Sequence, residues 1–250
     1  VDYTQTCNAL EAEVAAFAED AQRADPSLPV AACPPWDLAE LIKHLGSIHR
    51  WAGQMVRDGA QQRLSFREVP LELPDDKAAY PRWLLEGGAW LLDILRKADP
   101  DTPMWAWGAD QHARFWARRM LHETTVHHAD ALLALGRTPS LEAARAVDGI
   151  DEFLDNLPHA AYFAPNVKEL KGEGESLHFH CTDAEGEWMI QLNPDGFTWE
   201  RGHGKGSVAV RGAASDLLLL VYGRLKPEPE RFQIFGDTDV LSRWLQHAHI

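Results

Sequence analysis

The stretch RRMLHETTVHHADALLALG, residues 118–136, decides how the chain is read. Its apolar and small residues recur at three- and four-residue intervals, the period of a helix, and it closes on Gly136, which suits the turn beyond a helix end. The helix is predicted from about Asp110 to Leu135. On it Glu123 and His127, four residues apart, project from one face and are placed to share one ion. The segment is not the HExxH motif of zinc proteases: His122 and Glu123 would need a histidine at position 126, where Val126 stands. By itself a Glu and a His at this spacing is more often an exposed polar pair.

A second helix changes that balance. In CPPWDLAELIKHLGSIHRWA, residues 33–52, Asp37 is positioned to cap a helix whose apolar stripe runs through Leu38, Leu41, Leu45, Ile48 and on to Met55, ending at Gly59. His44 lies on or beside that stripe, and a histidine facing a bundle core needs a partner: a carbonyl, a carboxylate or a metal. Facing helices of bundles commonly build metal sites from inward side chains, so His44, Glu123 and His127 are the predicted ligands. Two imidazoles and one carboxylate leave a coordination position open, as in catalytic rather than structural zinc sites. Zinc is the expected ion, although nickel, cobalt and iron accept the same donors. His49, five residues past His44, is expected to point away, and His128 to face about a quarter-turn round from His127. Asp130 is placed either to orient a histidine or to sit exposed.

Further helices are expected around Leu10, Val14 and Phe17, from about Pro81 to the ADPDTP break, and after Ser140. Beyond Pro158 the period becomes two. Leu177, Phe179 and Cys181 alternate, then Trp188, Ile190 and Leu192, with Asn-Pro-Asp-Gly (193–196) as a turn, and FTWER, SVAVRG and FQIFG read as more strands. Helices are expected over Ser215 to Arg224 and from near Asp237. His178 and His180 are read as the solvent side of their strand. The expected fold class is therefore α+β: an up-down helical bundle over residues 1–158 and a smaller α+β domain over 159–250.

Composition narrows the function classes. A formal net charge of -14 argues against sequence-independent nucleic-acid binding. No apolar run reaches the eighteen residues of a membrane span, and no secretory signal is read at the start, so the expected location is cytoplasmic. Cys7, Cys33 and Cys181 form no CxxC pair and fit a reducing compartment as unligated thiols. Of the ten tryptophans, Trp36, Trp51, Trp105, Trp107 and Trp116 lie near the proposed metal helices, and bundle packing explains most of these; Trp105 and Trp107 are candidates for lining a pocket.

The two segments quoted above, followed by VAVRGAASDLLLLVYGR (208–224) and FGDTDVLSRWL (235–245), resemble the mycothiol-dependent maleylpyruvate isomerase family, over nearly the whole chain. The likeness rests on a Trp with a His eight residues on, a Glu-x-x-x-His pair, a following Asp, and the Arg-Gly and Gly-Arg segments in order. It implies a DinB-like metal-binding bundle with a small C-terminal domain, and His44, Glu123 and His127 as ligands. It also implies Arg224 as a catalytic and cofactor-binding arginine for a carboxylate of thiol or substrate, a task suited to a planar guanidinium. The implied cofactors are a divalent metal and mycothiol, and the implied partners a small thiol and a small electrophile. The chemistry would be cis-trans isomerisation through reversible thiol addition, or S-transfer of the thiol to an electrophile. A non-catalytic metal-dependent ligand carrier or sensor is the rival class. It would keep the ligands but show no thiol-dependent turnover.

Overall fold

The computed structural model describes residues 2–248. Its backbone contacts divide into two units, one of residues up to Ala106 with Asp110–Pro139, the other of Trp107–Ala109 with Ser140 onward.

The first unit is a four-helix bundle of α1 (Tyr3–Ala21), α2 (Leu38–Arg57), α3 (Tyr80–Lys97) and α4 (Ala113–Ala134). The helices α1 and α2 each pack on both α3 and α4. Asp37 caps α2, accepting from the Glu40 amide at 2.8 Å, and Pro81 occupies the first turn of α3, where no amide donor is needed. Phe17, Leu38, Leu41, Ile42, Leu45, Leu84 and Ala131 meet in one apolar cluster. Between α2 and α3 the packing is close: a Cβ added at Gly46 would lie 2.2 Å from the Trp83 ring. The helix α4 is buried on most sides, and its buried residues include Arg119, His122, Thr124, Thr125, His127, His128 and Asp130. So many buried polar groups call for partners, and Arg119, His127 and Asp130 find theirs in the site described below. At its end Gly136 takes φ +71, while the amides of Gly136 and Arg137 bond the carbonyls of Leu133 and Leu132.

The second unit contains α5 (Ala143–Asn156), β1 (Ser176–Cys181), β2 (Glu187–Asn193), β3 (Gly196–Arg201), β4 (Val208–Gly212), α6 (Ala214–Val221), β5 (Gln233–Gly236) and α7 (Thr238–His247). Its sheet has the order β3-β2-β1-β4-β5, with β1 and β4 parallel and every other pair antiparallel. The alternation expected from the sequence holds for the core face, where Leu177, Phe179, Trp188, Ile190 and Val210 are buried together with α6 residues Leu217 to Val221 and Trp244 of α7. The α+β class is as the sequence predicts. Helix α5, which its period grouped with the bundle, packs against α6 instead. Periodicity reveals that a helix has an apolar face, not which core takes it. His178 also departs from expectation, being 5% exposed rather than solvent-facing. Among the described residues, no helix is long and apolar enough to cross a membrane.

Candidate metal centre

Two full turns beyond the Asp37 cap, α2 presents His44, and α4 presents Glu123 and His127 one turn apart. Their polar atoms converge. His44 Nε2 lies 3.2 Å and His127 Nε2 3.3 Å from the same Glu123 Oε1. The imidazole rings stand edge to face, with centroids 5.0 Å apart, and the Trp36 indole lies 4.8 Å from His44 and 6.4 Å from His127.

Glu123 and His127 are each held from behind. Arg119, one turn before Glu123 and only 2% exposed, donates from Nη2 to Glu123 Oε2 at 3.1 Å. Burial alone would raise the Glu123 carboxyl; hydrogen bonds from His127 and His44 and the Arg119 charge outweigh it and hold the group well below the usual carboxylate range. Asp130 Oδ2 lies 2.9 Å from His127 Nδ1 and accepts from Cys33 Sγ at 3.4 Å. Burial would depress the His127 imidazolium, but Asp130, Cys33 and Glu123 together hold it well above the ordinary histidine value. With Nδ1 engaged by Asp130, Nε2 is the nitrogen aimed at Glu123, the orientation a metal-ligating histidine takes. Asp130 is thus buried and orienting rather than exposed.

The donor chemistry fits a divalent ion. One atom each from His44, Glu123 and His127 lies within 4.8 Å of the others, giving two imidazole nitrogens and one carboxylate oxygen with room for further ligands. Beside them opens a cleft of about 260 Å³ lined by Trp36, Glu40, Lys43, His44, Ser47, Ile48 and Phe66. Cys33, His127 and Asp130 form a second overlapping group at the same spacing.

His49 and His128 have other work. His49 is fully buried; Thr124 donates its hydroxyl to the Met120 carbonyl at 2.6 Å and so accepts from His49 Nε2 at 2.9 Å. Burial, with the Arg50 charge added, pushes His49 down to about 3 against the pull of Glu123. His128 lies between Glu13 (2.7 Å) and Asp20 (3.0 Å) and stacks on Phe17. Trp105 packs among Trp51 and Trp116 and does not line the cleft, and Trp107 lies edge-on to Phe163 in the second unit. Arg224 follows α6 in the second unit and donates to the Tyr222 carbonyl at 2.7 Å.

Three contributors escaped sequence reasoning. Arg119 had a signal, its four-residue spacing before Glu123. Trp36 was visible only as part of a family pattern, and Cys33, 97 residues from Asp130, had no local signal at all.

A helical bundle carrying a His-Glu-His cluster, followed by a small α+β unit, defines the class of protein. The model of the mycothiol maleylpyruvate isomerase N-terminal domain matches residues 7–132, and that of the corresponding MDMPI C-terminal domain matches residues 144–243. The chain belongs to the mycothiol-dependent maleylpyruvate isomerase family. Two solved structures are similar in fold. One, an alanine-for-histidine mutant of the mycothiol-dependent maleylpyruvate isomerase, is 12% identical, with a TM-score of 0.58 and coverage of 94% of this chain and 93% of that one. The other, the isomerase without that mutation, is 13% identical, with a TM-score of 0.56 and the same 94% and 93% coverage. Comparison with curated protein sequences gave no match.

Proposed function

We propose that the chain is a metal-dependent enzyme that uses a small thiol, mycothiol, as its nucleophile. Its reaction is cis-trans isomerisation of a maleylpyruvate-like alkene or S-transfer of the thiol to an electrophile. The observation that carries this reading is the convergence of His44 and His127 on one Glu123 oxygen beside an open cleft, in a chain of this family. A divalent ion held by His44, Glu123 and His127, for which Zn2+ is the natural choice, would supply a Lewis acid that lowers the pKa of a thiol placed beside it.

The side chains on hand perform the supporting tasks. Arg119 balances the partly buried Glu123 charge, so that the carboxylate stays ionised. Asp130 fixes the His127 ring, and Trp36 covers one side of both imidazoles. Lys43, Glu40 and Ser47 give the cleft polar lining, and Phe66 and Ile48 give it apolar lining. Arg224 is assigned to a carboxylate of thiol or substrate; support for it is the family match over residues 144–243 and the bidentate geometry of guanidinium.

The test is turnover by metal-loaded protein with mycothiol and maleylpyruvate, then with a panel of electrophiles. Thiol-dependent isomerisation or thiol consumption is the expected result. Saturable thiol binding with no turnover on any substrate would replace the enzyme by the ligand carrier or sensor. For Arg224, replacement by Lys should raise KM more than it lowers kcat, because positioning is lost while the nucleophile is retained.

A further inference from the structure

The second unit holds another convergence of metal-binding side chains, unrelated to the bundle cluster in sequence. His178 and His180, two residues apart on β1, share the sheet face opposite Leu177 and Phe179. Glu187 on β2 is the register partner of His180 and so lies on that same face. His203 comes from the segment after β3, whose exit is pinned by the Gly202 amide donating to the Glu187 carbonyl at 3.1 Å.

All three imidazoles point at one carboxylate. His178 Nε2 lies 2.9 Å and His203 Nδ1 2.7 Å from Glu187 Oε2, and His180 Nδ1 lies 3.2 Å from Oε1. One ligand atom from each of the four lies within 4.8 Å of the other three. The rings are mutually edge to face, with centroids between 5.3 and 6.4 Å apart.

We propose that His178, His180, Glu187 and His203 form a second metal site, taking a late first-row divalent cation such as Zn2+. Three imidazoles and one carboxylate complete a tetrahedral shell without an open position, the pattern of a structural site. Its effect would be to fasten the His203 segment to the β1-β2 hairpin. It is independent of the thiol chemistry assigned to the bundle.

The test uses the full chain, stripped with chelator, reloaded with Zn2+, desalted and subjected to elemental analysis. The unmodified protein should hold two ions per chain. His180→Ala with His203→Ala should hold one, His44→Ala with His127→Ala should hold one, and the fourfold variant none. His203 is exposed and His180 partly so, which makes this pair safe for folding; circular dichroism checks it. In the His44→Ala, His127→Ala background, Zn2+ should raise the melting temperature only while His180 and His203 are present. A single ion that the sheet variants keep and the bundle variants lose would overturn the proposal. A single ion with the opposite behaviour would uphold it and refute the bundle assignment. An unmodified protein that takes up no ion would overturn both.

Discussion

At Glu123 one carboxylate serves two imidazoles and a guanidinium, so each of its partners can be tested by what its loss does to the others. Replacing His44 or His127 with Ala should remove the bundle ion, measured by elemental analysis of the Zn2+-loaded His180→Ala, His203→Ala protein, in which only the bundle cluster is complete. In that same background His49→Ala should keep the ion and instead lose about 1–3 kcal/mol of stability in denaturant, since it empties a buried site and strands Thr124. Asp130→Ala should weaken Zn2+ binding by roughly 10–100-fold, the usual cost of losing the group that orients a ligating histidine. Cys33→Ser, which keeps a donor for Asp130, should leave affinity nearly unchanged; loss of the ion there would make Cys33 a ligand. These roles differ in how visible they are from sequence. His44, Glu123 and His127 are readable because helical spacing and an apolar stripe fix their directions. Asp130 is ambiguous, because spacing alone does not say whether a polar side chain is buried. Cys33 becomes its neighbour only through tertiary folding.

Helix packing gives a sharper test of the bundle than helix propensity does. Gly to Ala inside a helix ordinarily stabilises by about 0.5–1 kcal/mol. At Gly46 the added Cβ would meet the Trp83 ring at 2.2 Å, and that ring is fixed by its Nε1 bond to the Leu71 carbonyl and by Arg50 over its face. Overpacking at about 1–3 kcal/mol should therefore win, and Gly46→Ala should lower stability in urea melts. Gly53→Ala meets Trp90 at 2.4 Å, but Trp90 is only partly buried and has room on its exposed side, so its loss should be smaller. On the sheet unit, Glu175 is paired with Arg243 of α7 at 2.6 Å. That bond, helped by backbone donors, pushes Glu175 from its ordinary 4.5 down to about 2. A depressed folded value means the pairing stabilises above the ordinary value and is lost as pH falls from 4.5 toward 2. Arg243→Leu should flatten that part of the acid-unfolding curve, followed by circular dichroism. The strands were legible in sequence because apolar residues recur at period two, most cleanly in β2 and β4, where burial alternates too. The home of α5 was not, since an amphipathic helix fits either core.

Across the whole molecule, the exposed run from Gly136 to Thr138 precedes the point where the backbone contacts divide. Trypsin at low ratio should cut first after Arg137, read by mass spectrometry, with early cleavage inside α2 or α4 contradicting the layout. The chain nevertheless passes between the units three times, at Ala106 to Trp107, Ala109 to Asp110 and Pro139 to Ser140. Ala109 donates its amide to Asn156 Oδ1 at 3.2 Å, and Trp107 lies 4.9 Å from the Phe163 ring. This excursion bears on modularity. A gene fragment opened cleanly at Ser140 would leave behind three residues that the encoded product needs, stripping Phe163 of its aromatic neighbour and Asn156 of a donor. The C-terminal half is therefore not a cassette to be shuffled onto other proteins by a single cut, and any recombinant that carries it must also supply the Trp107–Ala109 contacts from elsewhere.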